Sequence, residues 1–276
     1  DIAPRLTVYK YVTNNYFGTA DSSDFTLRVN ATNASPDVFN GSETGTLVTL
    51  DQGNYEVTED AYPGYQPVYS EGCTGTINVG ESKVCTVTNS YLAAHLIVIK
   101  HVINDNGGNK NASDFVMHIN GVTTLTPASF LGAEAPGVDT IVSPGEYSVT
   151  EDEKDGYAAT YSEDCSGTID FGETKICTIT NDDQQSYIIV DKTVVNDNGG
   201  SAVADDFLLT VDDESVSDEV AYPVNPGLHT AGETNLPGYT AGSWGGDCDM
   251  NGEVNVALGE TKICTITNDD QQSYII

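Results

Sequence analysis

Apolar and polar residues alternate with a period of two along most of the chain. The segments LTVYKYV, DFTLRVN, YEVTE, GTINV and KVCTVTN, within residues 6–89, are short, alternating or rich in β-branched residues. Turn-forming stretches such as DNGG, PG and NVGES separate them, which is how strands and their connections read in sequence. No window sustains a helical period. The pattern predicts an all-β chain.

The same pattern occurs three times. LTVYKYV, LIVIKHV and IIVDKTV open the copies, and CTVTN, CTITN and CTITN close them. From Lys10, Lys100 and Lys192 the step to an Asp-Phe pair (Asp24-Phe25, Asp114-Phe115, Asp206-Phe207) is 14 residues each time. Gly53, Gly145 and Gly227 each stand six residues before Glu59, Glu151 and Glu233, and a Gly-Tyr follows each Glu by five. The last Cys precedes Asn89, Asn181 and Asn268 by four. Constant landmarks with insertions between them predict fixed strands and variable loops. The expected domains are residues 1–91, 92–183 and 184–270. Each is a small antiparallel sandwich, immunoglobulin-like in size though not necessarily in topology. Asn89 to Lys100 and Asn181 to Lys192 both span 11 residues without Gly or Pro, so the joints read as semi-rigid.

Composition narrows the setting. Asp and Glu number 42 against 10 Lys and Arg, a formal charge of −32. This argues against nucleic acid or anionic lipid as a partner and predicts a hydrated exterior. No apolar run reaches membrane-spanning length. The opening DIAPRLTVYK lacks a signal-peptide pattern, as in a processed chain or a segment cut from a longer one. Six Cys fall in three similarly spaced pairs, and sequons occur at Asn30, Asn33, Asn40 and Asn111. Together they predict an oxidising, extracellular or cell-surface setting and candidate glycosylation sites. The expected disulfides are Cys73 with Cys85, Cys165 with Cys177 and Cys248 with Cys264, each closing what reads as a hairpin with a Gly turn.

The chemistry candidates are Lys10, Glu59 and Asn89, then Lys100, Glu151 and Asn181, then Lys192, Glu233 and Asn268. A lone lysine among apolar neighbours is expensive to bury unless it is paired. These residues, with VxKxV at the start, GxYxVTE followed by GY, and TxTN at the end, resemble the Cna B-type or SpaA-like domains of bacterial pili and surface adhesins, which have a prealbumin-like fold. The resemblance covers all three repeats. It implies an intramolecular isopeptide bond between the first-strand Lys and the last-strand Asn of each repeat, with the Glu assisting. The third repeat departs from the motif, reading LHTAGE where the others read YEVTE and EYSVTE. Burial disfavours charged forms, so a neutral amine attacking a carboxamide is reasonable chemistry. This is a single-turnover maturation step, and no enzymatic turnover is expected. The alternative is a buried Lys-Glu ion pair beside a strand-end Asn.

Other signals are weaker. Asn104, Asp105 and Asn106, and Asn196, Asp197 and Asn198, offer oxygens to a calcium ion, with Asp182-Asp183 and Asp269-Asp270 as further donors, but Asn-Gly turns explain the same residues. The four His lack zinc-ligand spacing, and Trp244 reads as packing. The expected function is an extracellular stalk, fibre or filament component that self-assembles or joins tandem neighbours. The alternative is an adhesin that binds a host or matrix ligand through residues 31–50 and 121–143. GETKICTITNDDQQSYII crosses from the second repeat into the opening strand of the third at residues 172–189 and recurs at 259–276, so residues 271–276 read as the start of a further first strand or a tail donated to a neighbour.

Overall fold

The computed structural model describes residues 2–272. Residues 273–276, most of the predicted further strand, lie outside the described residues. The described residues are all-β, with short 3₁₀ turns at Ser22–Asp24, Ala112–Asp114 and Ala204–Asp206 ahead of the second strand of each repeat, and at Glu71–Cys73 and Glu163–Cys165 in the first two.

Each repeat folds into two facing sheets. In the first, one sheet has the strand order Thr46–Thr49, Arg5–Thr13, Ser82–Tyr91, Tyr65–Tyr69, and the other Val38–Asn40, Thr26–Ala31, Gly53–Glu59, Thr74–Ile77. The second repeat reproduces both orders, and the third adds a short Gly245–Gly246 strand. Side chains from the inner faces form a core in each repeat, and the first has a second small cluster of Ala20, Phe25 and Tyr65. The main core of the first includes Leu6, Val8, Leu27, Val57, Ile77 and Val87. The second and third have cores of their own around Met117 and Ile179 and around Leu209 and Val254.

The antiparallel expectation holds for every strand pairing but one in each repeat. The opening strand lies parallel to the closing strand, from Arg5 opposite Ser82 to Thr13 opposite Ser90. Ala94–Ile103 pairs in the same way with Thr174–Asp183, and Ser186–Val195 with Thr261–Asp270. Period-two alternation is the same in parallel and antiparallel strands, so the sequence carries no mark of this. Its consequence is directional: the chain enters each repeat at one end of the central pair and leaves at the other.

All three cysteine pairs are bonded. The hairpin read between them is corrected: Thr74–Ile77 pairs with Gly53–Glu59, whereas Ser82–Tyr91 pairs with Arg5–Thr13 in the opposite sheet. The NVGES turn is therefore an arch, and Cys73–Cys85 ties one sheet to the other. Residues 31–50 and 121–143, read as variable loops, also supply edge strands of both sheets. They contain Val38–Asn40 and Thr46–Thr49, and Ser129–Leu131 and Val138–Val142. Trp244 packs against the third core, as expected.

Replacing Cys165 and Cys177 together with Ala is expected to destabilise the second repeat by about 3 kcal/mol, because the bond closes a short loop in the unfolded chain. Denaturant unfolding of the variant against the parent protein measures this.

Candidate functional site

The inward row of the first opening strand is Leu6, Val8 and Lys10, all 0% exposed. Lys10 thus occupies the next core position after two aliphatic residues. Its partner in the closing strand has the inward row Cys85, Val87, Asn89. Lys10 lies opposite Val87 and Val12 opposite Asn89, so Lys10 and Asn89 are diagonal neighbours on one face. Glu59 ends a strand of the facing sheet and reaches across the core from the other side. Its side chain is 1% exposed.

The structure brings the three together. Lys10 Nζ stands 3.2 Å from Glu59 Oε2, and Asn89 Nδ2 donates to Glu59 Oε1 at 2.6 Å. Asn89 Oδ1 and Glu59 Oε2 are buried without a hydrogen-bond partner, so the Lys10–Glu59 contact is a close approach rather than a well-aimed hydrogen bond. In the second repeat Lys100 Nζ lies 3.3 Å from Glu151 Oε2 and donates to Asn181 Oδ1 at 2.5 Å. In the third, Lys192 Nζ lies 2.5 Å from Glu233 Oε2, and Asn268 Nδ2 donates to Glu233 Oε1 at 2.6 Å. The divergent LHTAGE strand therefore delivers its Glu to the same place, because the Gly227–Thr234 strand keeps its pairing, with Glu233 opposite Leu209.

Burial pushes all three lysine ammonium groups below the usual lysine range, against the opposing pull of the paired Glu. The wall that does this is aromatic. Lys10, Lys100 and Lys192 lie 4.1, 4.3 and 4.2 Å from the ring centroids of Phe25, Phe115 and Phe207. A cation there gains from the ring face, but the ring supplies no hydrogen bond to replace water. These phenylalanines were missed as site residues, although the constant 14-residue step from each Lys pointed at them. The neighbouring Asp fixes the turn that presents them: Asp24, Asp114 and Asp206 carboxylates accept from the backbone N–H of Asp21, Asn111 and Val203. The lysine stem also needs room. A Cβ on Gly41 would stand 2.5 Å from Lys10 Cγ, and one on Gly132 2.7 Å from Lys100 Cγ.

The calcium candidates take a different role. Asp183 is buried, and its carboxylate accepts from the backbone N–H of Asp105 (2.9 Å), Asn106 (3.0 Å) and Gly108 (2.5 Å). Asp270 accepts likewise from Asp197, Asn198 and Gly200. Asn106 and Asn198 turn their amide Nδ2 toward these aspartates, while Asn104 and Asn196 accept from the Tyr157 and Tyr239 hydroxyls. The DNGG loop is thus folded around a carboxylate by backbone donors. Carboxylate oxygens of Asp105, Asp182 and Asp183, and of Asp197, Asp269 and Asp270, do lie within 4.8 Å of one another. In the first repeat the aspartate is replaced by Tyr91 and the loop by TNNYFG, so aspartate and loop come and go together. Asn30, Asn33, Asn40 and Asn111 are all exposed.

Three two-sheet domains, each with a parallel central pair and a buried Lys-Glu-Asn cluster, define a tandem array of prealbumin-like domains. The chain belongs to the SpaA-type prealbumin-like fold domain family, whose model matches residues 1–90, 92–181 and 183–266. Among solved structures, the TIE protein of Bacillus anthracis is similar at 17% identity and a TM-score of 0.54, over 98% of this chain and 52% of that one. The chain therefore spans about half the length of that relative. A major pilin (T-13) of Streptococcus pyogenes matches at 13% identity and a TM-score of 0.34, over 67% of this chain and 98% of the pilin. Two B repeat units of the Staphylococcus aureus collagen binding protein match at 16% identity and a TM-score of 0.24, over 98% and 74%. No curated protein sequence matches the chain.

Asp183→Ala is expected to destabilise the second repeat by roughly 1–2 kcal/mol, since it leaves several part-buried backbone donors unmet. Burial opposes ionisation of Asp183, but the Gly108, Asn106 and Asp105 N–H groups outweigh it and hold the carboxyl below its usual value. The contribution is therefore present above about pH 4 and is lost as pH falls through the lowered native value. Thermal unfolding of parent and variant from neutral pH to about pH 2 should show their difference shrinking over that acid range.

Proposed function

We propose that the protein is a load-bearing component of an extracellular stalk or filament, in which each domain is locked by an isopeptide bond: Lys10 to Asn89, Lys100 to Asn181 and Lys192 to Asn268. The observation that carries this reading is the buried lysine with lowered basicity beside an Asn amide and a Glu carboxyl, repeated three times.

The chemistry balances without an outside reagent. The neutral Lys Nζ attacks the Asn Cγ, a new C–N bond forms, the bond to the original amide nitrogen breaks, and ammonia leaves. Glu59, Glu151 or Glu233 takes the proton from the attacking amine and returns one to the leaving nitrogen. Burial holds the reacting atoms together and excludes competing water.

The parallel central pair gives the bond its mechanical meaning. Tension enters the first domain near Arg5 and leaves near Tyr91, the outer ends of paired strands. A Lys10–Asn89 bond would route force from residue 10 directly to residue 89, leaving the chain between them unloaded. An adhesin that binds a matrix ligand remains the second functional class, and binding of a single repeat to matrix proteins or glycans would favour it.

Intact mass spectrometry tests the bonds. Each isopeptide removes about 17 Da as ammonia and each disulfide about 2 Da. The expected mass carries three losses of each kind, and a mass showing only the disulfide loss overturns the isopeptide assignment. Glu151→Ala is expected to restore about 17 Da. Single-molecule pulling separately tests the mechanical reading. The parent domain should not lengthen, whereas Lys10→Ala should release a step on the order of 200 Å, the extended length of the freed chain.

A further inference from the structure

The third repeat departs from the others at LHTAGE, and the departure puts a histidine where the first two carry a core tyrosine. Tyr55 and Tyr147 stand two residues after the glycine that opens their strand, and their hydroxyls donate to the Gly72 and Asp164 carbonyls beside the disulfide. His229 holds the same place in the Gly227–Thr234 strand but bonds elsewhere. Its Nδ1 lies 2.6 Å from Asp212 Oδ2, and its Nε2 lies 2.7 Å from the Asn225 carbonyl oxygen. An ionised carboxylate and a carbonyl can only accept. A neutral imidazole has one N–H and would leave lone pairs facing each other across one of these contacts, so the geometry fits the imidazolium, which donates at both nitrogens. The side chain is 13% exposed.

What the ring holds is part of the joint between the second and third domains. Asn225 and Pro226 form the turn into this strand, and they lie against Gly107 in the DNGG loop of the second domain. A Cβ on Gly107 would stand 2.6 Å from Pro226 Cδ and 3.1 Å from Asn225 Oδ1. Gly107 has φ of +90°, so backbone conformation and space both require glycine there. Gln185, between the closing strand of one domain and the opening strand of the next, donates to the adjacent Val224 carbonyl at 2.8 Å. A second contact uses different turns: Leu258 of the third domain seats on a glycine socket at Gly156, where a Cβ would stand 2.8 Å from Leu258 Cβ and Cγ.

We propose that His229 is a pH-dependent brace of this joint: as imidazolium it fixes the Asn225–Pro226 turn against Gly107, and as neutral imidazole it frees the third domain to turn about the Leu258–Gly156 contact. Asp212 is the charged group in contact with the ring. Asp213 follows it in the same turn, the Glu253–Val256 strand sets Val254 opposite His229 and Glu253 opposite Thr230, and the loop beyond Asn225 carries Asp105 and Lys110 and wraps Asp183. Burial opposes charge on the ring, but the Asp212 carboxylate and the Asn225 carbonyl outweigh it and raise the histidine above its ordinary value. The brace is therefore complete below that ordinary value and is lost as pH rises through the raised one. On the acid side it persists, because burial of Asp212 is outweighed by the bonds from His229 and the Thr230 N–H, which hold its carboxyl below the usual range. The joint is thus braced in neutral and mildly acidic surroundings and compliant in alkaline ones. Neither the isopeptide bonds nor the stalk reading is needed for this.

The test is an NMR titration of the intact isotope-labelled chain from about pH 5 to about pH 10. The His229 ring signal, identified by its loss in His229→Gln, is expected to titrate above the ordinary histidine value of about 6.5. The Gly107 amide signal in the neighbouring domain should change with the same midpoint, and that step should be lost in His229→Gln. In Asp212→Asn, which keeps the ring, both midpoints should fall together, an effect that a merely structural contact would not show. Residual dipolar couplings of the second and third domains should fit one common orientation below the midpoint and require two above it. A His229 midpoint at or below the ordinary value, a Gly107 signal that ignores it, or a relative orientation unchanged across it would each overturn the brace. The mass and pulling measurements would stand unaffected by any of these.

Discussion

The central constraint in each domain is a lysine placed where the core demands an apolar residue. Moving an ammonium group from water into such a site costs several kcal/mol even after relaxation, and the structure repeats that cost three times, at Lys10, Lys100 and Lys192. Everything nearby is organised by it. The facing sheet must end a strand in Glu at that height, the closing strand must turn an Asn inward two residues beyond the lysine's own level, and glycine at 41 or 132 must yield space to the lysine stem. A leucine at the same position would satisfy the fold with none of these conditions. The arrangement is therefore costly for stability alone and economical for chemistry between the amine and the amide.

The disulfide and the lysine cluster divide the domain between them. Inward positions of the closing strand run Cys85, Val87, Asn89, so the two candidate attachment points are separated by one aliphatic residue on the same face. Cys85 is tied through Cys73 to the turn that leads into the facing sheet, and Asn89 reaches that sheet through Glu59. The same strand is held laterally by the parallel ladder to its opening partner. It is thus tied in two perpendicular directions, within its sheet and across the core, and in the first and second domains it is also the strand that continues into the next.

Much of this was legible in the sequence, and the parts that were not share a cause. Period-two alternation and the three sets of landmarks located the strands and the nine cluster residues, because a side chain that must face inward leaves its mark at fixed steps. Strand direction left no such mark, since inward and outward positions alternate identically whichever way the partner runs. The sheet-to-sheet arch at NVGES read as a hairpin for a related reason: a Gly-containing turn between two alternating segments has the same composition whether the strands pair or part. The phenylalanine wall was recorded as a spacing but not as a surface. The backbone N–H groups of the DNGG loops that face Asp183 and Asp270 also left no mark, because sequence displays side chains.

Those last two aspartates connect the interior of a domain to its end. Asn181 and Asp183 lie two residues apart on one inward face of the closing strand. The first meets Lys100 and the second gathers the loop that follows the opening strand. A shift of the closing strand by one residue would turn both outward at once, so cluster and loop hold the same register from neighbouring positions. That register also places Gln184 N–H on the Gly156 carbonyl, the residue on which Leu258 of the next domain rests. The chain leaves a domain from a point held by the same strand that carries the crosslink candidates. A joint without Gly or Pro is then stiff for a structural reason, because its socket belongs to the ordered end of the preceding sheet rather than to a free linker.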